Sequence, residues 1–404
     1  MNSKTLLLYT IAAVAATGGL LFGFDTGVIN VALPSLETKF SLSPSATGSL
    51  VTAVLVGGMM GPFISGRLTD SLGRKRMNII AAVIFMIGSV ITAVAPTFGV
   101  LVGGRFVLGL AIGIVSSSVP LYIAEIAPSE IRGRLVTFFQ FAITIGILVS
   151  FVIGYIFADY QDGWRYMFWC GFVPAAVLFF GMLYVPESPR WLIMKGRDEE
   201  ALTVLNRLHD AAHVKKEYAE IRHSFENEQQ NKGNWTELFT KRLRIPLLIG
   251  VGIFCIQQFS GINAIIYYST KIFGMAGFDL KTTATMGTVG VGIINTLSTI
   301  VAMKYLDRWG RKPILYTGLI GTACALATVA CAFFFKDSLS ADALKILSIG
   351  GVYVYIFFFA ISLGPLGWLL ISEIFHFVCE VQHQVWVVFR IGFSILVLHT
   401  LSQF

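Results

Sequence analysis

The sequence predicts an all-α polytopic membrane protein, and three observations support this fold class. The 404 residues are 55% hydrophobic and 13% charged, with a mean hydropathy of +0.74. Apolar stretches of about 20 residues, enough to cross roughly 30 Å of hydrocarbon as helix, recur along the chain. The alternating pattern of a transmembrane β-barrel is absent from the sequence. Such a chain is solvated mainly by lipid.

Ten apolar stretches are long enough to cross a bilayer, and a weaker eleventh lies at 384–401. The ten lie near residues 8–32, 45–66, 77–96, 99–123, 135–158, 166–185, 246–272, 284–304, 313–335 and 344–374. The first could also be a secretory signal, because Lys4 precedes a leucine-rich run and small residues at 13–16. The apolar run continues to Asn30, which favours a retained first helix.

The positive charge is concentrated on one side of these spans. Of the 30 Lys and Arg, 21 lie in four loops, 67–76, 132–134, 190–244 and 304–312. The spans place all four loops on one face, called here the basic face. The positive-inside rule predicts that this face and the N-terminus are cytoplasmic in a plasma membrane. Because topology explains the basic residues, no nucleic-acid partner is expected.

Neither a cofactor nor catalytic chemistry is indicated. The five cysteines are scattered without metal-ligand or redox spacing, and we interpret them as packing residues. The spans contain no Ser/His/Asp, metal or acidic-pair constellation, so an enzyme is not expected. The histidines of the long polar stretch, His209, His213 and His223, are expected on the surface without a role.

This polar stretch divides the chain into two related halves. It contains charged residues with apolar residues at helical spacing, which predicts short amphipathic helices. DSLGRK at 70–75 recurs as DRWGRK at 307–312, each time after the second span of its half. We therefore predict an N-terminal six-helix bundle at 1–185, a helical linker at 186–244 and a related C-terminal bundle at 245–404.

Several motifs carry a family resemblance. They are GRLTD at 66–70 with GRKR at 73–76, Glu125 with RGR at 132–134, PESPRWL at 186–192, QQFSGIN at 257–263 and GPLGW at 364–368. Together they resemble those of the sugar porters of the major facilitator superfamily, which include bacterial xylose:proton symporters and mammalian glucose facilitators. The resemblance runs from about Gly18 to Phe375. It implies a major facilitator fold and transport of a monosaccharide of the xylose, glucose, galactose or arabinose class.

A sugar site needs amides that donate and accept hydrogen bonds, and an aromatic surface for the C–H face of the sugar. Gln257, Gln258 and Asn263 lie in the seventh span, where Gly261 permits unwinding. The alternative for any one amide is polar packing between helices. Trp368 is expected to form a wall of the site rather than an interfacial belt. The resemblance assigns sugar contact to Gln140, Gln257, Gln258, Asn263, Asn295 and Trp368, with Phe22 and Tyr267 as apolar walls.

Two charges lie within apolar spans and are natural partners. Asp25 lies in the first span and Arg105 opens the fourth, and a charge within a membrane needs a partner or water. In proton-coupled sugar porters the matching Asp and Arg form the protonation site, whereas facilitators lack that Asp. The resemblance therefore implies proton symport, in which a proton on Asp25 releases Arg105. A structural ion pair, with uniport, is the alternative.

Charged residues of the repeated motifs are predicted to form clamps on the basic face. Pairs that exist in only one conformer bias alternating access, whereas solvated loop charges would contribute little. The predicted members are Asp70, Arg74, Glu125 and Arg134 in the first half, and Asp307, Arg311 and Glu373 in the second.

The C-terminus departs from the family pattern after Phe375. Residues 376–404 lack the expected Arg-x-Arg-Gly loop and last two spans, and restoring one nucleotide before the His376 codon permits that pattern. We therefore expect a frameshift that leaves the second bundle incomplete, with about 11 spans and an unstable or inactive product. A divergent native tail is the alternative.

The protein is expected to act as a monomer. The alternative to a transporter is a sugar sensor that binds sugar without transporting it.

Overall fold

The computed structural model describes residues 3–230, 241–278 and 287–369, and these ranges contain fifteen α-helices and no β-strand. Helices are expected because each backbone N–H and C=O in hydrocarbon must be paired within its own segment. In chain order the helices are α1 Ser3–Phe40, α2 Pro44–Leu72, α3 Arg74–Ala93, α4 Phe98–Ile126, α5 Arg132–Phe157, α6 Gly163–Cys170, α7 Phe172–Tyr184, α8 Pro189–Met194, α9 Asp198–Leu208, α10 Ala211–Gln230, α11 Lys241–Phe259, α12 Ile262–Met275, α13 Gly290–Trp309, α14 Arg311–Phe334 and α15 Ala341–Ile361.

Ten segments of the described chain are long and apolar enough to cross a bilayer. They correspond one for one to the ten strong stretches predicted from the sequence, which confirms that part of the prediction. The sixth span consists of α6 and α7, the seventh of α11 and α12, and the tenth continues beyond α15 to Leu369. The weaker stretch at 384–401 lies outside the described residues.

The helices pack in two groups that contact each other. In the first group α1 packs along α5, α2 along α4, and α3 against both α4 and α7. In the second, α13 and α14 pack on α15, and the groups meet where α1 contacts α12 and α5 contacts α13. A Cβ added at Gly23 of α1 would lie 1.8 Å from the carbonyl oxygen of Ile143 on α5. Small residues of this kind let helix backbones approach closely within a membrane.

The repeated motif has the same backbone conformation in both halves. Gly73 precedes α3 with φ 100° and ψ 161°, and Gly310 precedes α14 with φ 80° and ψ 162°. Positive φ values favour glycine, so both copies need glycine at this position to turn from one helix into the next. The duplication therefore extends from the sequence to the local structure.

The linker forms three helices, α8 to α10, which bury part of their apolar residues. Trp191 and Leu205 are 5% and 1% exposed, as amphipathic helices require. His209 is 4% exposed, so its expected surface position is wrong. It directly follows α9, with Nδ1 3.1 Å from the Glu217 carboxylate and with its carbonyl oxygen accepting from Lys4. His223 is exposed as expected, and the side chain of His213 lies outside the described residues.

Two cysteines differ from the packing residues expected. Cys324 and Cys331 are exposed on α14, a membrane-spanning helix, so burial among the described residues does not explain them. Cys170 and Cys255 are half-buried. Cys379 lies outside the described residues.

Candidate functional site

The seventh span is interrupted where the sequence predicts unwinding. Helix α11 ends at Phe259, Ser260 forms a turn, and α12 begins at Ile262. Between them Gly261 adopts φ 82° and ψ 16°, in the left-handed region. Glycine adopts this conformation without the steric cost of a side chain. The break removes backbone groups from the helical ladder next to a cluster of amides.

Three of the predicted site amides flank this break. Gln257 and Gln258 lie in the last turn of α11, and Asn263 lies in the first turn of α12. Asn263 Nδ2 donates to Gln258 Oε1 across 2.6 Å. Gln257 Nε2 donates to the carbonyl oxygen of Leu363 in the tenth span, at 2.8 Å. The structure therefore brings the amides of the seventh span together and joins them to the tenth.

The tenth span is also broken, and its last described turn carries Trp368. Helix α15 ends at Ile361, Ser362 adopts φ −129° and ψ −85°, and residues 363–369 are helical again. The Trp368 indole Nε1 donates to Gln140 Oε1 on α5 across 2.8 Å. A residue of the second group of helices thus contacts a predicted sugar-binding amide of the first.

Aromatic and small residues surround this indole. The Trp368 ring lies 4.9 Å from Phe139 and 5.7 Å from Phe254, centroid to centroid, and both contacts are edge-on. A Cβ added at Gly364 would lie 3.2 Å from Gln140 Nε2, and one at Gly367 would lie 3.4 Å from Gln257 Nε2. The amides of α5 and α11 therefore approach the backbone of the tenth span closely.

The other three predicted sugar-site residues lie on neighbouring helices. Tyr267 on α12 is 6% exposed and packs in one apolar cluster with Phe24 and Phe168. Phe22 on α1 is half-buried and packs against an apolar cluster that includes Phe139 and Phe254. Asn295 is 4% exposed on α13. Asn295 is thus a buried amide in a span that contacts α5, as a residue facing the interior of the protein would be.

Asp25 and Arg105 form an ion pair deep within the first group of helices. Arg105 Nη1 on α4 donates to Asp25 Oδ1 on α1, and the two side chains are 1% and 2% exposed. The Arg105 guanidinium carbon also lies 5.8 Å from the ring centroid of Phe168. Among the described residues, buried Arg105 Nε has no hydrogen-bond partner. The pair therefore keeps an unused donor, which is uncommon for a buried polar group.

A second buried charge cluster lies on the basic face of the first half. Arg74 Nε lies 2.9 Å from Glu125 Oε2 and Arg74 Nη2 donates to Glu125 Oε1 at 2.9 Å, while Arg74 Nη1 lies 3.4 Å from Asp70. The Arg74 and Glu125 side chains are 2% and 5% exposed, so solvent screens them little. Of the four residues predicted for this clamp, three are joined in the described structure, and Arg134 is exposed on the first turn of α5.

Glu187, in the PESPR motif, is a member of this cluster that sequence reasoning left without a role. Its Oε1 accepts from the backbone N–H groups of Arg74 and Lys75, both at 3.0 Å, and of Ser188 at 2.9 Å. A carboxylate here satisfies the unpaired donors at the N-terminus of α3. Burial raises the pKa of Glu187 above its ordinary value, while these backbone donors oppose the shift.

The matching clamp of the second half cannot be assembled from the described residues. Arg311 is half-buried at the start of α14. The side chain of Asp307 and the whole of Glu373 lie outside the described part of the chain. The second clamp therefore stays a prediction.

Sequence reasoning missed a polar contact that joins the two groups of helices at the face opposite the basic face. Asn30 Nδ2 on α1 donates to Ile266 O and Ser269 Oγ on α12, both at 2.7 Å. Thr270 Oγ1 donates to Asn30 Oδ1. The available signal was an amide inside an apolar span, which needs a partner as much as a charge does.

An ion pair lies beyond this contact, toward the ends of the same helices. Lys271 Nζ on α12 lies 2.7 Å from Glu37 Oε1 on α1, and Thr47 on α2 donates to the same oxygen at 3.1 Å. Both charged side chains are partly exposed, so the pair contributes at most about 1 kcal/mol. Together with Asn30 it holds α12 against α1.

Known proteins are similar to this chain over most of its length. The sequence model of the "Sugar (and other) transporter" family matches residues 11–379. The D-xylose transporter of Levilactobacillus brevis is 37% identical over 362 residues, 89% of this chain and 78% of that protein. The major myo-inositol transporter IolT of Bacillus subtilis (strain 168) is 39% identical over 375 residues, 91% of this chain and 79% of that protein.

Solved structures show the same fold. The proton:xylose symporter XylE of E. coli, bound to 6-bromo-6-deoxy-D-glucose, matches with a TM-score of 0.87 and 31% identity. The match covers 98% of this chain and 88% of that one. The protein is therefore a multi-pass membrane transporter with the major facilitator fold, and not an enzyme.

Within that class, the chain belongs to the sugar transporter family. The family match ends at residue 379, and residues 370–404 lie outside those the structure describes. The frameshift expected near residue 376 stays a prediction.

Proposed function

We propose that this protein carries a monosaccharide across a plasma membrane by alternating access, in symport with a proton. The basic face is the cytoplasmic one, so the N-terminus is inside. The substrate is a neutral sugar of the xylose, glucose, galactose or arabinose class. Each part of the proposal rests on a different contact.

The hydrogen bond from Trp368 to Gln140 is the observation that carries the proposal. It places an indole of the second group of helices against an amide of the first, 2.8 Å away, with Gln257 nearby. Amides donate and accept, and the indole offers a flat apolar surface, which together suit a polyhydroxylated ring. A site lined from both groups opens to either face when the groups rock against each other.

Proton coupling rests on the Asp25–Arg105 pair. Removing two charges from water costs several kcal/mol per ion, so a buried pair is weak evidence of stabilisation and a candidate for function. Protonation of Asp25 neutralises the carboxylate and releases the Arg105 guanidinium. Arg105 already has one unused donor at Nε. The solved neighbour XylE is a proton:xylose symporter, which supports the same assignment by likeness.

Alternating access rests on the contact of α1 with α12. Asn30 and its partners Ser269 and Thr270 close the face opposite the basic face, and they must separate when that face opens. Hydrogen bonds between membrane helices are worth about 1 kcal/mol each, small enough to break in every cycle.

The test is transport by the purified protein in proteoliposomes. Counterflow is measured with D-xylose, D-glucose, D-galactose and L-arabinose, and also with myo-inositol because one relative transports it. We expect exchange of at least one of the four monosaccharides. An inward proton gradient should drive uptake of that sugar against its own concentration gradient. This uptake should stop when a protonophore is added.

The remaining outcomes identify the alternatives. Sugar uptake that is the same with and without a proton gradient would indicate a uniporter of the same fold. Binding without flux would indicate a sugar sensor. Exchange of myo-inositol alone would indicate that the substrate is a cyclitol and not a monosaccharide. No exchange of any substrate would contradict transport by this chain and would agree with the inactive product expected from a frameshift.

A further inference from the structure

One residue of the tenth span forms a hydrogen bond with the backbone at the break in the seventh span. Tyr355 on α15 is fully buried, and its hydroxyl donates to the carbonyl oxygen of Ser260 across 2.8 Å. The same hydroxyl lies 3.1 Å from Ser260 Oγ. Ser260 is the turn residue between α11 and α12, so Tyr355 contacts the backbone where the helix is interrupted.

This hydrogen bond meets a need that the break creates. A helix that ends leaves carbonyl oxygens without intrahelical partners, and a buried carbonyl without a partner is costly. At this break Gly261 N–H bonds to Gln258 O and Ser260 Oγ donates to Gln257 O. The Ser260 carbonyl receives the phenol hydroxyl of Tyr355.

The anchoring ring is itself fixed. Tyr355 stacks on Phe359, one turn further along α15, with ring centroids 6.2 Å apart and an interplanar angle of 19°. A second link joins the same two spans, because Gln257 Nε2 donates to Leu363 O at 2.8 Å. The end of α11 is therefore tied to the tenth span at two points, at Gln257 and at Ser260.

The position of this anchor matters for the sugar site. Gln257 and Gln258 precede Ser260 and Asn263 follows it, so all three amides depend on the geometry of one turn. The 2.6 Å bond between Asn263 and Gln258 spans the break directly. A loosened turn would separate the amides and reduce their preorganisation for a ligand.

We propose that Tyr355 is a positioning residue for the sugar site, because it anchors the Ser260 carbonyl and thereby fixes the break that sets the three amides in register. It is not itself assigned contact with the sugar. Its effect on affinity rests on the proposed function, whereas its effect on the break does not. Both effects are therefore measured.

The first measurement is hydrogen–deuterium exchange of the backbone across residues 256–266, in purified protein without ligand. Tyr355→Phe removes only the hydroxyl, and we expect exchange there to accelerate about tenfold, the effect of losing about 1.4 kcal/mol of local stability. Tyr316→Phe is the matched control, since Tyr316 is 61% exposed on α14.

The second measurement is sugar affinity, followed by quenching of tryptophan fluorescence with D-xylose and D-glucose, alongside the apparent Tm. Tyr355→Phe should weaken binding by about 3- to 30-fold in folded protein, the range expected for one unmet buried hydrogen bond. The control Tyr316→Phe should bind as wild type does. A lower Tm with unchanged affinity would reduce Tyr355 to a structural residue and overturn the proposal.

The two measurements separate this proposal from the proposed function. If wild-type protein binds no sugar but Tyr355→Phe accelerates exchange at the break, the anchor stands and the sugar function falls. Unchanged exchange overturns the anchor whether or not sugar binds. If Tyr355→Phe is not recovered folded, Phe359→Leu removes the stacked ring but keeps the hydroxyl. Phe359→Leu should also accelerate hydrogen–deuterium exchange at residues 256–266. An exchange rate equal to that of wild type would count against the anchor.

Discussion

The indole of Trp368 donates a hydrogen bond to Gln140 across 2.8 Å, and this contact joins the two groups of helices at the candidate site. Trp368 lies beyond the break in the tenth span, and Gln140 lies on α5. Two residues 228 positions apart in the sequence are therefore joined directly, although they belong to different groups of helices. A ligand that replaces this bond would contact both groups of helices at once.

We predict that removing the indole N–H weakens sugar binding. Trp368→Phe keeps an aromatic surface but leaves Gln140 Oε1 without its donor, so affinity should fall by about 1 to 2 kcal/mol. Trp368→Ala also loses the apolar wall and should cost about 1 to 3 kcal/mol. Calorimetry with the transported sugar measures both. Trp169→Phe is the control, because Trp169 is 42% exposed, and wild-type affinity in both Trp368 variants would move the site elsewhere.

We predict that a methyl group at Gly364 impairs transport. Its Cβ would lie 3.2 Å from Gln140 Nε2, closer than ordinary contact, so Gly364→Ala should displace the amide. The initial rate of sugar exchange should fall at least several-fold, since small displacements at a binding site are costly. Gly350→Ala is the matched control on α15, where an added Cβ meets nothing within 4 Å. Equal exchange rates in the two variants would show that the close approach is unimportant.

We predict that the buried clamp on the basic face is critical for stability. Glu125→Gln leaves the Arg74 guanidinium buried without its main countercharge, which typically costs about 3 to 5 kcal/mol. The apparent Tm of the purified protein should therefore fall by several degrees. Glu200→Gln removes a carboxylate from an exposed pair and should change Tm by less than one degree or so. Similar Tm values for the two variants would mean that the clamp is solvated like an ordinary loop charge.

We predict that Glu217 makes stability depend on pH. Burial raises its pKa to about 7, with Glu220 and Glu130 adding to the shift and Arg132 opposing it. A carboxyl with a raised pKa stabilises the folded state below pH 4.5, and that contribution is lost as pH rises through about 7. The apparent Tm of wild type should fall between pH 5 and 8 more than that of Glu217→Gln.

The outcome that contradicts this prediction is a parallel pH dependence in the two proteins. Glu226→Gln serves as the control, because Glu226 is exposed on the same helix and does not contribute to the Glu217 shift. It should follow the wild-type curve closely.

Much of the fold was predictable because hydropathy is a local property. Ten spans follow from stretches that must be apolar over a membrane thickness, and the break at Gly261 follows from the only residue type that turns left-handed without strain. Asp25 and Arg105 were predictable as partners because a charge in an apolar span has few ways to be satisfied.

The contacts between distant helices were not predictable in this way. A lone amide such as Gln140 or Asn30 has the same local pattern whether it faces a ligand, another helix or a backbone carbonyl. Only the packing of α1 on α12 shows that Asn30 bonds to Ser269. His209 was misplaced for a related reason, since its burial depends on α10 and the start of α1 rather than on its own neighbours.

Proton coupling through Asp25 is the central claim, and Asp25→Asn tests it most directly. The variant keeps the size of the side chain but cannot carry the charge that pairs with Arg105. Asp162→Asn, the same change at an exposed pair with Lys39, is the matched control. In proteoliposomes we expect Asp25→Asn to exchange sugar at a rate near wild type and to lose all accumulation driven by an inward proton gradient, while Asp162→Asn keeps both. Proton-driven accumulation at the wild-type level in Asp25→Asn would contradict symport through this residue.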